Sequence, residues 1–373
     1  MGAIDLVDVT KRFKGETVLD GVSLSVAEGE TLALFGPSGA GKTVLLRLIA
    51  GVVEPDGGTV RLQGRDMAEV PPEDRNVGMA FQNFALFPHL SAFDNIASPL
   101  EARRFDASRV RAGVEAVAKL LKIDHVLSHT PRALSNGQKQ RTALARALAG
   151  KPRALLLDDP LRNVDAKLRF EMRLELPRLL AEERAATIYV TQDFREAMAL
   201  GDRIAVLDAG RIVQIGAPED IYHAPATLEI AQLFGDPTIN LLDITPETDG
   251  VAPFARLSDT RAPLDPGLAH AVGARCVLGL RPEALRFAEE GGPGAIPVTV
   301  EAETPLNEKI VTLCVTKRGR EILVSRPAGT PGPAGGPAHV LVDASHAVLF
   351  DRETGARIAP RDSADGAERG AAA

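Results

Sequence analysis

Residues 36–43 constrain the fold of this chain more than any other stretch, because GPSGAGKT matches G-x-x-x-x-G-K-[ST] without a gap. An apolar run, Thr31–Phe35, precedes the motif, and a second apolar run at residues 44–50 follows it and ends at Gly51. This order predicts a buried strand, a tight loop and a helix, which is the context that the motif requires. An ordinary glycine-rich turn before a helix is the competing interpretation, and the match at every fixed position argues against it.

The residue types of this loop indicate phosphate binding. Glycines let the backbone turn its N–H groups inward, and the helix start adds free N–H groups and the positive end of the helix dipole. Together these groups form a cradle for a polyphosphate. Lys42 is predicted to reach the β- and γ-phosphates, and the Thr43 hydroxyl to hold Mg²⁺. The other loop residues predicted to bind the nucleotide are Gly36, Ser38, Gly39, Ala40 and Gly41.

Polar side chains follow two further predicted strands. Asp158 and Asp159 end the apolar run at residues 154–157, and Pro160 stops the strand. Adjacent carboxylates repel each other and need a cation, and an aspartate at this position is the usual Mg²⁺ partner of a phosphate loop. Gln82 directly follows the predicted strand at residues 77–81, where its side chain could face the phosphate site.

Composition excludes some classes of protein. The chain has 373 residues, which suits two or three domains, and a net charge of −7, which argues against a nucleic-acid partner. No apolar run reaches the roughly 20 residues of a membrane span, and the first residues do not resemble a signal peptide. Any membrane role is therefore expected to be peripheral, through another protein. Cys276 and Cys314 lack metal or redox spacing and are expected to be buried and inert in a reducing cytosol.

The pattern of runs divides the chain into three parts. Strands alternate with helices over residues 1–235, which predicts an α/β domain with a mainly parallel sheet and a helical part at about 84–150. A charged helix at 165–184 is expected to be interrupted or kinked by Pro177. Short β-rich runs over 236–351 predict a small β-barrel domain. Residues 352–373 are expected to be disordered.

Three features leave alternatives open on local grounds. Phe13 either offers a face for a nucleotide base or simply packs, and packing is favoured locally. The apolar stretch 83–90 is either covered by the chain's own helices or reserved for a partner. Ser135 can cap the helix that follows it, and this start is either only a capped helix or a second anion-binding site.

Five motifs, taken in order, resemble those of the ATP-binding subunits of ABC transporters. They are Walker A at 36–43, the Q-loop at Gln82, the signature at 134–138, Walker B at 155–159 and the switch at Gln192. Residues 161–165 match the D-loop. A closer resemblance, to the sugar and polyol importer ATPases of the maltose-importer type, rests on residues 81–90, 216–222 and 279–283.

The resemblance implies a P-loop NTPase ABC domain with a helical subdomain, followed by an OB-like (TOBE) regulatory domain. It also implies that Phe13 stacks on adenine, that Gln82 joins Thr43 and Asp158 at Mg²⁺, and that two subunits enclose ATP between them. The signature residues would then complete the partner's site. Membrane subunits would dock on residues 82–95, which places the chain peripherally on the cytoplasmic face of a bacterial inner membrane. The signature residues concerned are Ser135, Gly137 and Gln138.

The chain departs from the family pattern at three positions. Asp159 replaces the usual Glu, the base that orients and activates the attacking water, and is shorter by one C–C bond, about 1.5 Å. Gln192 replaces the usual His and can donate a hydrogen bond but cannot carry a proton or a charge. Asn136 replaces a glycine of the signature, and we expect this signature to work because Asn tolerates left-handed backbone angles.

These departures lead to two expectations about activity. The chain should bind Mg·ATP well but hydrolyse it poorly at its own Walker site. It is therefore expected to pair with a paralogous ATP-binding subunit that has the usual Glu and His, and a homodimer with a reduced rate is the alternative.

Three classes of function compete. The first is the ATPase motor of a sugar or polyol importer, glycerol-like substrates included. The second is a nucleotide-gated interaction subunit with little ATPase activity of its own. The third, an ABC ATPase of translation or DNA repair, is disfavoured because the chain has one set of motifs and an acidic balance.

Overall fold

The computed structural model describes residues 2–162, 164, 166–257, 260–288, 291, 294–333, 335–343 and 346–361. The chain forms two compact units that meet in sequence between Pro218 and Glu219. The sequence predicts a domain boundary after residue 235 instead. The difference arises because the helices before that point belong to the second unit, where Arg281 donates hydrogen bonds to the backbone carbonyls of Tyr222 and Ala231.

The first unit alternates strands and helices, as predicted. Its strands are β1 (Ile4–Phe13), β2 (Glu16–Val26), β3 (Thr31–Phe35), β4 (Gly57–Leu62), β5 (Arg65–Asp66), β6 (Val77–Ala80), β7 (Ala154–Asp158), β8 (Ala186–Thr191), β9 (Arg203–Asp208) and β10 (Arg211–Gly216). Its helices are α1 (Lys42–Ala50), α2 (Ala92–Ala102), α3 (Ala107–Leu120), α4 (Asn136–Ala149), α5 (Ala166–Glu183) and α6 (Phe194–Leu200).

The central sheet positions the candidate site. Its strand order is β10-β9-β3-β8-β7-β6, and all neighbours except β9 and β10 are parallel. Strands β3, β7 and β8 are buried along their whole length, which agrees with their continuous apolar sequences. Because β3, β7 and β8 are parallel neighbours, their carboxyl ends meet at one edge of the sheet. The mainly parallel α/β architecture is therefore confirmed.

Two apolar clusters flank this sheet. One contains Leu45 and Leu48 of α1 and packs them against the antiparallel sheet β2-β1-β4-β5 and one face of the central sheet. The other joins the opposite face to α2, α3 and α4 through residues such as Ile96, Val114 and Leu144. The second cluster therefore holds the predicted helical part, within residues 84–150, on the central sheet.

Helix α5 differs in part from the sequence prediction. It runs without interruption from Ala166 to Glu183, so the predicted interruption at Pro177 is wrong, while the alternative of a kink there stays a prediction. Strand β2 is continuous over residues 16–26 and pairs with β1 through register shifts.

The second unit is β-rich after two short helices, α7 (Pro218–His223) and α8 (Leu228–Leu233). Its sheets have the orders β11-β15-β21-β22, β12-β13-β14 and β16-β20-β17-β18-β19. The strands are β11 (Asn240–Ile244), β12 (Glu247–Thr248), β13 (Pro253–Leu257), β14 (Thr260–Pro263), β15 (Cys276–Leu280), β16 (Leu285–Ala288), β17 (Ala295–Leu306), β18 (Lys309–Thr316), β19 (Glu321–Pro327), β20 (Gly336–Val342), β21 (Ala347–Asp351) and β22 (Arg357–Ile358).

An apolar core that includes Leu278, Ile296 and Val324 lies between these sheets. Both cysteines are buried here with free thiols, and burial raises the pKa of Cys314 to about 11. The thiolate is the reactive form of cysteine, so burial in the barrel favours the expected inert behaviour.

The carboxyl-terminal end of the described chain is structured further than predicted. Strand β22 pairs with β21 through Leu349 and Phe350, and the Arg361 N–H donates to the carbonyl of Gly267. Residues 352–361 therefore do not belong to a disordered tail. Residues 362–373 lie outside the described residues. Among the helices that the structure does describe, none is long and apolar enough to cross a lipid bilayer.

Candidate functional site

The loop between β3 and α1 forms the base of the site. A Cβ atom at Gly36 would lie 2.1 Å from the carbonyl oxygen of Leu207 on β9, so only glycine fits there. Gly39 and Gly41 have φ angles of +85° and +104°, in the left-handed region that favours glycine. Gly41 is also the residue that precedes α1. The backbone therefore curves as the sequence motif predicts.

Lys42 lies at the start of α1 with a buried side chain. Its Nζ atom donates hydrogen bonds of 2.7 Å to the carbonyl oxygens of Gly36 and Pro37. Burial lowers the pKa of Lys42, and the negative charges of Asp159 and Asp158 oppose that shift. A buried ammonium group among free backbone donors is suited to an anionic ligand.

Thr43 and Asp158 are in direct contact, as expected for two ligands of one cation. The Thr43 hydroxyl lies 3.2 Å and 3.0 Å from the two carboxylate oxygens of Asp158. Burial raises the pKa of Asp158, so a nearby cation would favour its charged form. These oxygen donors fit Mg²⁺, which proteins usually bind through one or two carboxylates together with water and phosphate oxygens. No group of three or more His, Cys, Asp or Glu among the described residues could hold a metal by itself.

Asp159 lies just beyond the carboxyl end of β7 in an unusual backbone conformation. Its φ angle is +47°, its N–H donates 2.9 Å to the carbonyl of Val190 on β8, and the residue is only 8% exposed. Burial raises the pKa of its carboxyl group, and the neighbouring Arg162 guanidinium is the main opposing influence. Such left-handed strain at a non-glycine residue is concentrated at functional sites.

Gln192 follows β8 between two anchored residues. The Asp193 N–H donates 3.0 Å to the Thr191 hydroxyl, and the Asp193 side chain caps α6. Behind this turn, the hydroxyls of Tyr189 and Thr191 both donate 2.9 Å bonds to the carboxylate of Glu196, which is 2% exposed. This buried network fixes the backbone on both sides of Gln192. No motif marked Glu196, because its partners meet only in the folded chain.

These elements enclose a pocket of about 240 Å³ at the carboxyl edge of the central sheet. The pocket brings together nine of the predicted site residues, namely Ser38, Gly39, Gly41, Lys42, Thr43, Gln82, Asp158, Asp159 and Gln192. It also contains Val18, Val44, Arg162 and Val190, which were not predicted as site residues. The signal that could have indicated Arg162 is its place three residues after Asp159.

Six predicted residues do not line this pocket. Gly36 lies against the Leu207 carbonyl, and a Cβ atom at Gly36 would lie 3.6 Å from the Ala40 Cβ, so both residues shape the loop from behind. Phe13 ends β1 with 43% of its surface exposed and with the Lys11 ammonium 5.2 Å from its ring centre. Phe13 is therefore only partly covered by its own chain, and its stacking on adenine, which the family resemblance implies, stays a prediction. The other three, Ser135, Gly137 and Gln138, lie at the start of α4.

The start of α4 is a complete capping box. The Ser135 hydroxyl accepts a 3.2 Å bond from the Gln138 N–H, and the Gln138 side chain accepts a 2.9 Å bond from the Ser135 N–H. Asn136 is the first helical residue and is not among the residues with positive φ. The left-handed tolerance expected to matter at Asn136 is therefore not used, because a helical backbone accepts Asn there without strain.

The apolar stretch 83–90 is held by its own chain but is not covered by it. Arg146 of α4 donates 3.1 Å and 2.6 Å bonds to the carbonyls of Phe84 and Ala85, and Asn95 bonds to both backbone groups of Phe87. Phe87 nevertheless remains 45% exposed. It lines a cavity of about 440 Å³ together with Phe81, Ala85, Pro99 and Arg146, among others. The fold thus fixes the backbone and leaves the apolar side chains open.

A phosphate loop on a mainly parallel sheet, with a Thr–Asp pair and a second carboxylate at the sheet edge, defines a P-loop nucleotide-binding protein. A family model described as ABC transporter matches residues 19–162, and one described as TOBE domain matches residues 278–350.

Curated relatives match nearly the whole chain. The trehalose/maltose import ATP-binding protein MalK of Thermococcus litoralis is 39% identical over 96% of this chain and 100% of its own length. The sn-glycerol-3-phosphate import ATP-binding protein UgpC of Escherichia coli is 36% identical, again over 96% and 100%. The chain therefore belongs to the ABC transporter ATP-binding proteins and is an ABC-type ATPase that binds ATP.

Solved structures agree with this assignment for the first unit. A dimeric ATP-binding cassette in a post-hydrolysis state, bound to ADP and Pi, is 30% identical with a TM-score of 0.54. The match covers 58% of this chain and 98% of the solved chain. A second structure of the same cassette, also dimeric, matches with the same TM-score and 31% identity. The fold class predicted from the sequence, a P-loop ABC domain followed by a TOBE domain, is confirmed.

Proposed function

We propose that this chain is the ATP-binding subunit of an importer for sugars or polyols, with glycerol-like substrates included. The pocket that gathers Lys42, the Thr43–Asp158 pair, Asp159 and Gln192 at one sheet edge carries the proposal. The substrate class is supported by the relatives, which are ATP-binding proteins for the import of trehalose and maltose or of sn-glycerol-3-phosphate. Substrate choice itself would lie in other subunits of the transporter.

Each site residue has a proposed role. The loop of residues 36–41 and Lys42 hold the phosphates, and the exposed ring of Phe13 stacks on adenine. Thr43, Asp158 and Gln82 hold Mg²⁺, which when bound neutralises charge on the phosphates. Asp159 orients and activates the attacking water as a general base, and the Gln192 amide donates a hydrogen bond to the γ-phosphate.

This site is proposed to bind Mg·ATP well and to hydrolyse it slowly. The Asp159 carboxylate ends about 1.5 Å short of where a glutamate would reach, and a misplacement near 1 Å can cost about 10²-fold in rate. Gln192 can orient a phosphate oxygen but cannot take up a proton. Nucleotide binding is spared because the phosphate loop and the Thr43–Asp158 contact follow the family pattern.

The partner is proposed to be a paralogous ATP-binding subunit with the usual glutamate and histidine. Ser135, Gly137 and Gln138 would complete that partner's ATP site, and their intact capping box supports a working signature. The cassette whose two solved structures resemble the first unit is dimeric in both. A homodimer in which Asp159 and Gln192 suffice at a reduced rate is the alternative arrangement.

Residues 82–95 are proposed to receive the membrane subunits. The exposed ring of Phe87 and the open cavity beside it offer an apolar seat, while Arg146 and Asn95 keep the backbone in place. This docking would place the chain peripherally on the cytoplasmic face of a bacterial inner membrane.

The deciding experiment compares the purified chain with the double variant Asp159→Glu/Gln192→His. We expect tight Mg·ATP binding by both proteins, slow hydrolysis by the unmodified chain and at least tenfold faster hydrolysis by the variant. Robust hydrolysis by the unmodified chain would contradict the weakened site and favour the homodimer.

A second candidate function is a nucleotide-gated interaction subunit with little chemistry of its own. The observation that favours it is the pairing of a short carboxylate at position 159 with an uncharged amide at position 192. Hydrolysis that stays near zero in the Asp159→Glu/Gln192→His variant, with nucleotide binding and dimer formation retained, would support this second function over the first.

A further inference from the structure

Arg162 lines the ATP pocket and lies within the D-loop match at residues 161–165, but the sequence alone assigns its side chain no role at the site. Its Nη1 atom lies 3.5 Å from the Oδ2 atom of Asp159, and its side chain is 49% exposed. It lines the same pocket as Lys42, Asp158 and Gln192. The side of the pocket that contains Asp159 and the uncharged Gln192 therefore carries a guanidinium group.

The turn that carries Arg162 is fixed from two directions. The Arg162 N–H donates a 3.3 Å bond to the carbonyl of Asp159. Arg169, in the first turns of α5, donates bonds of 3.3 Å to the carbonyls of Leu161, Arg162 and Val164. The guanidinium of Arg162 is thus presented to Asp159 from a turn that is tied to a helix.

The contact with the Arg162 guanidinium affects where the Asp159 carboxylate lies. Its left-handed backbone sets the direction of a side chain whose two rotatable bonds, Cα–Cβ and Cβ–Cγ, place the carboxylate, so a small rotation about either bond moves both oxygens. A planar guanidinium restricts that rotation more than a point charge does, because its donors have a fixed geometry.

We propose that Arg162 is a positioning residue for ATP hydrolysis, because its guanidinium holds the Asp159 carboxylate in the place from which it acts on water. The inference rests on the catalytic role proposed for Asp159. The interaction compensates in part for the shorter side chain at that position, and it leaves nucleotide binding to the phosphate loop.

The test is a double-mutant cycle in the full-length chain. Arg162→Gln is made in the wild-type chain and in the Asp159→Glu chain, and Arg162→Lys provides the conservative variant. For each protein we would measure the hydrolysis rate at saturating Mg·ATP, the KM, the affinities for Mg·ATP and Mg·ADP, and the melting temperature. Arg211→Gln, which removes a surface ion pair with Asp20, is the matched arginine control.

We expect Arg162→Gln to lower kcat about tenfold to a hundredfold while KM and both affinities stay within about twofold. Arg162→Lys should recover part of the loss, and Arg211→Gln should behave as wild type. In the Asp159→Glu chain the same Arg162→Gln change should cost less than about threefold, because the longer carboxylate reaches the water without the contact. Such non-additivity is the signature of two residues that act together.

Several outcomes would overturn the inference. An unchanged or raised kcat in Arg162→Gln would do so. A loss of ATP affinity large enough to account for the slower rate would also do so. The third such outcome is an equal loss of kcat from Arg162→Gln in the wild-type and Asp159→Glu chains. Asp159→Asn distinguishes a failure of the role proposed for Asp159 from a failure of the role proposed for Arg162. An unchanged hydrolysis rate in Asp159→Asn would overturn both roles. A rate that falls in Asp159→Asn but is unchanged in Arg162→Gln would overturn the role of Arg162 alone.

Discussion

Two walls of the same pocket differ in how closely they follow the family pattern. The phosphate-loop wall, Gly36–Thr43 with Asp158, has every expected residue and a direct Thr43–Asp158 contact. The hydrolytic wall, Asp159 with Gln192, has a shorter acid and an uncharged amide, and an arginine that was not predicted stands beside them. We therefore expect that binding and hydrolysis can be changed separately. Lys42 and Thr43 begin α1 after β3, whereas Gln192 follows β8, although Asp158 and Asp159 adjoin at the end of β7.

The largest expected effect comes from Lys42→Ala on the phosphate-loop wall. Lys42 is buried and supplies the positive charge at the loop, so its removal should lower Mg·ATP affinity by at least about a hundredfold and abolish hydrolysis. Equilibrium binding of a fluorescent ATP analogue would measure this loss. Lys119→Ala, on the exposed face of α3, is the control and should bind as wild type. Retained Mg·ATP affinity in Lys42→Ala would contradict the assignment of nucleotide binding to the phosphate-loop wall.

Asp159→Asn tests the hydrolytic wall and should have the next largest effect. The amide keeps the shape of the carboxylate but cannot act as a base, so hydrolysis should fall by about 10²-fold. Mg·ATP affinity should stay within about threefold, because the phosphate-loop wall is untouched. Phosphate release and ATP binding measured on the same preparation would show whether the two quantities separate. Equal losses in both would mean that the walls are not independent.

Ser135→Ala should have a smaller effect on the isolated chain, because Ser135 lies outside the pocket. It removes the N-cap of α4, which costs about 1 kcal/mol in the free energy of unfolding. Urea unfolding would measure this cost. Ser135→Asp keeps a capping oxygen and should retain most of the stability. A loss of nucleotide affinity in the isolated Ser135→Ala chain would contradict the assignment of Ser135 to a partner's site.

The smallest expected effect concerns Glu196, which lies behind the hydrolytic wall. Burial raises its pKa above the usual 4.5, and the bonds from Thr191 and Tyr189 only partly oppose that shift. Above pH 4.5 the unfolded chain therefore releases this proton before the folded chain does, so its contribution to stability falls as pH rises through that window. Glu196→Gln should remove that slope, measured as the free energy of unfolding from pH 5 to 7.5. The exposed Glu182→Gln should keep it.

The sequence predicted best those features that short stretches determine. Strand β3, helix α6, the phosphate loop and the Ser135 cap were all predicted, because each depends on residues within a few positions of one another. The relation of Thr43 to Asp158 could be predicted because parallel strands bring their carboxyl ends together. Each of these predictions needed only local chemistry or the order of strands.

Other features required the folded chain. Arg162 faces Asp159 because Arg169 fixes the turn from α5, and Glu196 is buried because Tyr189 and Thr191 bind it. Glu196 has no sequence signal of its own, and the signal for Arg162 is limited to its place three residues after Asp159. For Asn136 the stated reason was wrong. The signature was expected to work because Asn tolerates left-handed backbone angles, but Asn136 is helical and does not need that tolerance. Phe13 was judged by its apolar character, although the end of β1 leaves it open to solvent.

Helix α4 has a mechanical consequence. It spans fourteen residues, about 20 Å, with the Ser135–Gln138 box at one end and Arg146 near the other, bonded to the carbonyls of Phe84 and Ala85. Because helix α4 is rigid and held in this way, a tilt at its start would move or break the Arg146 contacts near its other end. We therefore expect that a ligand that tilts the start of the helix would change the affinity of a ligand in the cavity beside Phe87. The reverse change would then have the same factor.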